Sequence, residues 1–476
     1  MIRPVLVAVG EICDRPAEPA QALDPVGLMA AAARQAEADL GSAVLDRIDA
    51  VEIVHQISWR YDDTASQVCA RLGVTPARAV YHPGGGNTPL AILHEAALRI
   101  ARGESRIALV VSGEAQNAAR KARAAGIDLL WPPRAKQMEH PWDVDAKIGT
   151  LGRAHGLAQP THVYPLYENA TCHGWGLTPA AATAESATLW ARYSAVAATN
   201  PCAWQRKPVD AAQIATLSAT NPLIAWPYSR LMVANPTVNQ GAAVIVMADS
   251  VADELGIPPD RRVHLLGGAA ASEPEDYLHR AGYESCPAQD VVLDAARALA
   301  PAGGFDALEL YSCFPCVPKM ARRRLGLGED VVPTVTGGLT FFGGPFNAYM
   351  LHATCAMVRR LRGGTDTGLL YGQGDFVTKH HALVLSGAPA DTPLASDYRL
   401  DAQADALRGR LPPIVEQAEG AAWLESFTIL PDRDGGFDRG VVVLRLDDGA
   451  RTMARVPASD AATLARLADR DRSPIG

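Results

Sequence analysis

Short, almost wholly apolar runs recur along the chain. Val5–Val9, Val51–Val54, Ile107–Val111 and Gly241–Met247 lack the strict polar alternation of a half-exposed sheet. They predict strands buried on both faces. Ala307–Tyr311, Leu369–Tyr371 and His381–Leu385 have the same texture further on. Between these runs, alanines and leucines at helical spacing predict helices over Pro25–Leu40, Thr64–Leu72, Leu90–Arg102, Val291–Leu299 and Phe346–Leu361, with a basic helix at Lys319–Leu325. Gly41, Gly73, Gly103 and Gly363 stand just beyond four of them, where a left-handed residue closes a helix. Strands and helices in alternation predict an α/β fold.

The pattern is internally repeated. Asp49-Ala50-Val51-Glu52-Ile53 matches Asp306-Ala307-Leu308-Glu309-Leu310, and each copy leads to a glycine-rich loop ending in proline. Asp49 stands 40 positions before Pro89, and Asp306 stands 39 before Pro345. In the first loop, His82 to Pro89, Asn87 or Thr88 suits a helix N-cap and Pro89 the first turn. Two copies predict two similar halves about a pseudo-twofold axis, with the nearly uncharged helices Pro89–Ala101 and Pro345–Val358 as a shared layer. Their glycine-led N-termini would then meet at a cleft, where free backbone N–H groups stabilise negative charge. A developing oxyanion there gains about 2.7–4 kcal/mol per donor.

The expected units are a first half at 1–255, with an insertion at 115–240 that caps the core, and a second half at 256–387. A Pro/Ala/Asp-rich linker follows at 388–413, then a small β-rich domain at 414–476. That domain has strands at Ala422–Leu430, Gly440–Leu446 and Arg451–Val456, a turn at Asp448-Gly449 and a last helix, Ser459–Ala468, capped by its serine. The residues beyond it are expected to lack order.

Composition narrows the partners. The net charge of −8 over 476 residues leaves no basic surplus for nucleic acid or an anionic membrane. No apolar run approaches the roughly 20 residues of a membrane span. The first apolar run meets Glu11 and Asp14 too soon for a secretory signal. Eight scattered cysteines suit free thiols in a cytoplasm. Cys313 and Cys316 form C-F-P-C, but a redox pair needs a thioredoxin-like domain, and no second ligand pair suits zinc.

Met1 to Gly387, repeat included, resembles the thiolase superfamily. Tyr311-Ser312-Cys313-Phe314 stands against H-D-C-F of the sterol-carrier-protein branch, and Gly337 to Ala348 against its G-G-x-x-x-x-G-H-P-x-G-A. Gly85-Gly86-Asn87-Thr88-Pro89 and Thr378-Lys379-His380 resemble the type 1 thiolase-like proteins, which carry an extra C-terminal β-barrel domain. The resemblance implies a duplicated thiolase fold: two pseudo-symmetric βαβαβαββ halves, layered α-β-α-β-α, plus a small antiparallel β-barrel. It also implies an acyl-coenzyme A ligand, nominal acetyl-CoA acetyltransferase activity in lipid metabolism, no covalently bound cofactor, and a monomer or homodimer.

The chain departs from that pattern at the chemistry. The nucleophilic cysteine of ordinary thiolases falls at Gly85 or Gly86, the histidine of G-H-P at Gly344 and that of H-D-C-F at Tyr311. Cys313, Tyr311 and His380 are the catalytic candidates. Gly85, Gly86, Asn87, Gly343, Gly344, Asn347 and Gln373 are the substrate-binding candidates. Cys313 is an acid/base group or a buried structural thiol; Tyr311 is a donor or a packed aromatic. His380 and His381 point to opposite faces of a strand, so at most one faces the cleft; His380, nearer the loop, is either that residue or a satisfied structural histidine. Tyr164, Tyr167 and Trp226 line an acyl or pantetheine tunnel or, the commoner role for any one of them, pack in the core. Three functions remain open: altered acyl transfer, carbon–carbon cleavage of a β-hydroxyacyl-CoA, and acyl-CoA binding without catalysis.

Overall fold

The computed structural model describes residues 2–301, 304–389 and 391–476. Its strands are β1 (Pro4–Cys13), β2 (Ala50–Ile53), β3 (Arg78–Tyr81), β4 (Ile107–Ala115), β5 (Leu223–Ala225), β6 (Tyr228–Ser229), β7 (Asn239–Ala248), β8 (Val263–Ser272), β9 (Ala307–Leu310), β10 (Thr367–Gly374), β11 (Lys379–Ser386), β12 (Trp423–Pro431), β13 (Phe437–Arg445) and β14 (Arg451–Pro457). Nine pair in the order β3-β2-β4-β7-β1-β8-β11-β10-β9.

That order is the repeat made visible. In the first half β2 runs parallel to β4, which pairs antiparallel with β7, which pairs antiparallel with β1. In the second half β9 runs parallel to β10, which pairs antiparallel with β11, which pairs antiparallel with β8. The halves join where Val5 and Leu6 face His264 and Val263. No strand matches β3 in the second half among the described residues; there, Leu310 N–H donates to the Pro333 carbonyl at 3.0 Å.

The repeated aspartates explain why the motif recurs. Asp49 Oδ2 accepts from Arg106 N–H (2.6 Å) and Ile107 N–H (3.3 Å), pinning the start of β4. Asp306 Oδ2 accepts from Thr367 N–H (2.8 Å) at the start of β10. Each anion fixes the register of a parallel pair. The repeated glutamates diverge. Glu52 is buried with Arg78, Arg99 and His82, which outweigh burial and hold its carboxyl low. Glu309 accepts from Tyr349 Oη (2.7 Å) and Val335 N–H (2.9 Å), with no cation paired to it among the described residues, and burial raises it to about 7.

The central layer is Thr88–Ala101 against Tyr349–Leu361, and both helices touch strands of both halves. The second starts three residues later than expected, because Phe346 has φ +45° and the chain passes through a short 3₁₀ turn, Phe346–Ala348. The stretch before it is partly helical, with a π turn over Gly338–Phe342. The basic helix begins earlier, at Cys316, since Pro315 already has helical angles. Asn87 stands at its helix's N-cap position without a capping bond.

The domain read as a small barrel is a three-stranded antiparallel sheet, β12-β13-β14, with one helix, Ala461–Leu467. Asp460, not Ser459, caps that helix, accepting from Thr463 N–H at 3.1 Å. The tail is ordered: Ile475 packs on this core, and Gly476 N–H donates to the Leu424 carbonyl at 3.2 Å. Trp226 takes the core role rather than the tunnel one, in the same core as Phe427 and Ile429. The segment expected as a linker includes Ala390, outside the described residues, and carries a helix at Asp401–Leu407. No described helix is long and apolar enough to cross a membrane.

Tyr398 lies against His94 (centroids 4.2 Å), and His94 Nδ1 is 3.1 Å from His381 Nε2. Burial lowers His94 from its ordinary 6.5 to about 4, and lowers His381 well below that ordinary value. Below pH 6.5 the unfolded chain takes up protons that the folded histidines refuse. Stability is therefore full above about pH 6.5 and falls towards pH 4, by roughly 1.4 kcal/mol per pH unit per histidine. Urea midpoints at pH 7, 6 and 5 should drop steadily, and less steeply in His381→Leu; equal slopes would contradict this assignment.

Candidate active site

Three loops meet above the central helices. Gly85 N–H donates to Asn347 Oδ1 at 2.9 Å, and Asn347 Nδ2 reaches the His55 carbonyl at 3.2 Å. The first glycine loop is thereby tied to the start of the opposite helix. Gly374, at the end of β10, abuts Asn87: a Cβ there would lie 2.5 Å from Asn87 Oδ1. Gly85, Gly86, Asn87, Asn347 and Gln373 thus come together.

The centre of this cluster is Tyr311. A Cβ built on Gly86 would lie 2.5 Å from Tyr311 Oη and 2.8 Å from Cζ, and closer still to the Gln373 carbonyl oxygen. The phenol fills the volume in which a side chain at position 86 would begin. Its ring is held edge-on by Tyr349 at 5.9 Å, and Tyr349 is itself fixed by Glu309. The glutamate of the second repeat thus supports the tyrosine that occupies the cleft.

Cys313 follows two residues later. Gln373 Nε2 lies 3.4 Å from Cys313 Sγ and 2.6 Å from Tyr164 Oη, and Tyr164 donates to the Asp375 carbonyl at 2.8 Å. Because Tyr164 donates onward, it accepts from Gln373, which sets the orientation of that amide. Gln373 Oε1 and Asn87 Oδ1 are left buried without a partner. Burial pushes the Cys313 thiol up to about 12 and the Tyr311 phenol well above its usual range. Both hold their protons at neutral pH and act as donors.

The β10–β11 turn that carries Gln373 is unusual. Asp375 and Val377 have φ of +55° and +59°, which L-residues rarely adopt. Three side chains grip its successive carbonyls: Tyr164 on Asp375, Tyr167 on Phe376 (2.6 Å) and Arg280 on Val377 (2.7 Å). The Asp375 carboxylate pairs with Lys147 and Lys379, which outweigh burial and keep it low.

His380 faces the same side of the sheet as Gln373, its cross-strand partner. It engages a separate set: Nδ1 to Tyr371 Oη at 2.7 Å and Nε2 to Cys286 Sγ at 3.2 Å. Burial lowers it to about 4 and raises Cys286 to about 12, so both are neutral at pH 7. None of its hydrogen bonds reaches Cys313 or Tyr311. Gly343 (φ +120°) packs on Val238 and Gln240, and Gly344 N–H donates to the Asn235 carbonyl at 2.8 Å. Both glycines line the insertion; Ala234 N–H, next in line, donates to the Cys313 carbonyl at 3.1 Å.

The family model "Thiolase-like protein type 1 additional C-terminal domain" matches residues 402–476. Across its whole length the chain is similar to the crystal structure of a monomeric SCP2-thiolase-like protein type 1 from Mycobacterium smegmatis. Identity is 29%, covering 100% of this chain and 95% of that one, with a TM-score of 0.83. Residues 402–476 thus match the additional domain of type 1 thiolase-like proteins, and the chain as a whole has a thiolase-like fold. Two more distant structures share the fold over 81% of this chain. One is an Ltp2–ChsH2(DUF35) aldolase, at 17% identity, 97% of its own length and a TM-score of 0.59. The other is an acetyl-CoA acetyltransferase from Syntrophomonas wolfei, at 16%, 99% and 0.56. No curated protein matches the chain by sequence.

In this thiolase-like protein, sequence reasoning missed Tyr371, Cys286, Arg280 and Lys147. They lie in a strand, at a helix N-cap, in a loop and at the end of a short helix, with no motif to mark them. Tyr349 and Glu309 carried a signal, since Glu309 is the repeat's own glutamate.

The geometry predicts opposite fates for two glycines. Gly86→Ala forces Tyr311 or the Gln373 backbone to move and should cost about 1–3 kcal/mol. Gly344→Ala meets its nearest neighbours at 3.3–3.5 Å and should stay within about 0.5 kcal/mol of the parent. Urea unfolding of both variants checks this; equal midpoints would show that Tyr311 is free to yield.

Proposed function

We propose that the protein binds acyl-coenzyme A thioesters at the Gly86–Tyr311–Cys313–Gln373 cluster and forms no acyl-enzyme. The observation that carries the reading is Tyr311 Oη, 2.5 Å from where a side chain at 86 would begin. An attacking thiol has no room there. Cys313 does not replace it: with its thiol near 12, roughly one molecule in 10⁵ is thiolate at pH 7. The cluster offers donors instead, namely the Tyr311 phenol, the Cys313 thiol and the N–H groups opening the Thr88–Ala101 helix. Such donors suit a thioester oxygen that gains negative charge. The thioester itself is inferred from family likeness, including the acetyl-CoA acetyltransferase that shares the fold. Lipid metabolism and a cytoplasmic location belong to the same proposal and rest on that likeness and on the free cysteines.

A second reading is cleavage of a carbon–carbon bond in a β-hydroxyacyl thioester. Gln373 Oε1 and Asn87 Oδ1, buried without partners beside Tyr311, are acceptors suited to a substrate hydroxyl. An aldolase also shares the fold. In this reading the hydroxyl becomes a carbonyl as the carbon–carbon bond breaks and its proton leaves to solvent; the bonding pair passes to the thioester as an enolate stabilised by the Tyr311 hydrogen bond, and the enolate takes a proton from solvent at its α-carbon.

Intact mass after incubation with acetyl-CoA should be unchanged; an added acetyl group would overturn the proposal. Calorimetric titration with acetyl-CoA should detect binding, weakened about three- to tenfold in Tyr311→Phe. For the lyase, cleavage of a 3-hydroxyacyl-CoA should fall by about 10²–10³ in Tyr311→Phe. Cleavage that survives this change would reject the tyrosine's role.

A further inference from the structure

The C-terminal domain lies far from Gly86 in sequence, yet two chains of contacts lead from it to the turn that carries Gln373. The first runs through the helix Pro160–Gly174. Ser426 Oγ on β12 donates to the Leu166 carbonyl at 2.6 Å, and Asn169 Nδ2 donates to the Phe427 carbonyl at 2.8 Å. That helix has a proline, Pro165, in its interior, so it lacks one of its own bonds there. The residues on either side of Pro165 are the working ones: Tyr164 and Tyr167 grip the Asp375 and Phe376 carbonyls.

The second chain runs through Arg451 on β14. Its side chain is fully buried and held by Glu425 through Nε (2.7 Å) and Nη2 (2.8 Å). Its Nη1 donates to the Arg280 carbonyl at 2.7 Å and also to that of Leu278. Arg280 then donates to the Val377 carbonyl and lies over the Tyr167 ring at 5.1 Å. Both chains end on consecutive carbonyls of one turn, in which two residues hold positive φ. A turn of this kind persists only where its surroundings over-determine it.

We propose that the C-terminal domain is a brace for the cleft, with Ser426 and Arg451 as positioning residues. They hold the β10–β11 turn so that Gln373 stays on Cys313 and Tyr164 covers it. Tyr164 stacks on Phe314 at 4.2 Å, so loosening its helix uncovers the neighbouring thiol. The proposal rests on the functional reading only in taking this cleft as the site.

Its test needs no substrate. The full-length chain is alkylated with iodoacetamide under native conditions, and labelling of Cys313 and Cys355 is followed by peptide mass spectrometry. Cys355 is a fully buried thiol of the Tyr349–Leu361 helix that none of these contacts touches, so it reports general unfolding. In Ser426→Ala the Cys313 rate should rise about tenfold, the effect of one lost hydrogen bond on local opening, and in Arg451→Met, which loses the bonds to Glu425, Leu278 and Arg280, by at least as much, with Cys355 unchanged in both. An unchanged Cys313 rate, or a parallel rise at both thiols, would overturn the brace. A chain that bound no acyl thioester would still give the predicted labelling, so the two proposals fail separately.

Discussion

The Tyr311 phenol and a side chain at position 86 compete for one volume. The structure resolves the competition in favour of the phenol, and much else follows from that choice. Gly86 must remain glycine. The backbone of the first loop can then press against Gln373, and Gln373 can span Cys313 and Tyr164. Tyr349 stands behind the ring, and Glu309 behind Tyr349. A thiolase fold usually places a nucleophile at this junction. Here the same junction is filled by a weakly acidic donor that burial keeps protonated.

The duplication shows how two copies of one pattern come to do different things. Asp49 and Asp306 kept one task, holding the first amide of a neighbouring parallel strand. Glu52 and Glu309, three residues further on, did not. Glu52 is neutralised by arginines on the outer side of its half. Glu309 faces hydroxyls and amides alone, which is why its carboxyl titrates near neutrality while that of Glu52 stays low. Topology was conserved between the halves where backbone pairing demanded it, and side-chain chemistry drifted where it did not.

This difference also explains what the sequence disclosed. Buried strands, helix ends at glycine and the repeat are written in local patterns, so the two similar α/β halves were within reach. The meeting of Gly86, Asn87, Asn347, Gln373, Tyr311 and Cys313 was legible too, because each sits at a loop that the repeat places at the same level. Side-chain destinations were not. His380 lies on the expected face but turns to Tyr371 and Cys286, neither of which carries a motif. Trp226 belongs to the C-terminal core, since the insertion crosses to it. Periodicity tells which face a residue occupies; it is silent on which neighbour waits there.

Gly85 and Asn347 are 262 positions apart, yet one bond between them ties the two loops. As the chain is synthesised, the Thr88–Ala101 helix is complete long before Tyr349–Leu361 exists. Its apolar side, later buried in the central layer, must wait for more than half of the remaining chain to appear. Contacts so distant in sequence close late, after the cost of ordering the intervening loop has been met. The first half alone therefore leaves one side of its central helix without the partner that buries it. The cleft comes into being only as the last strands of the second half fall into place.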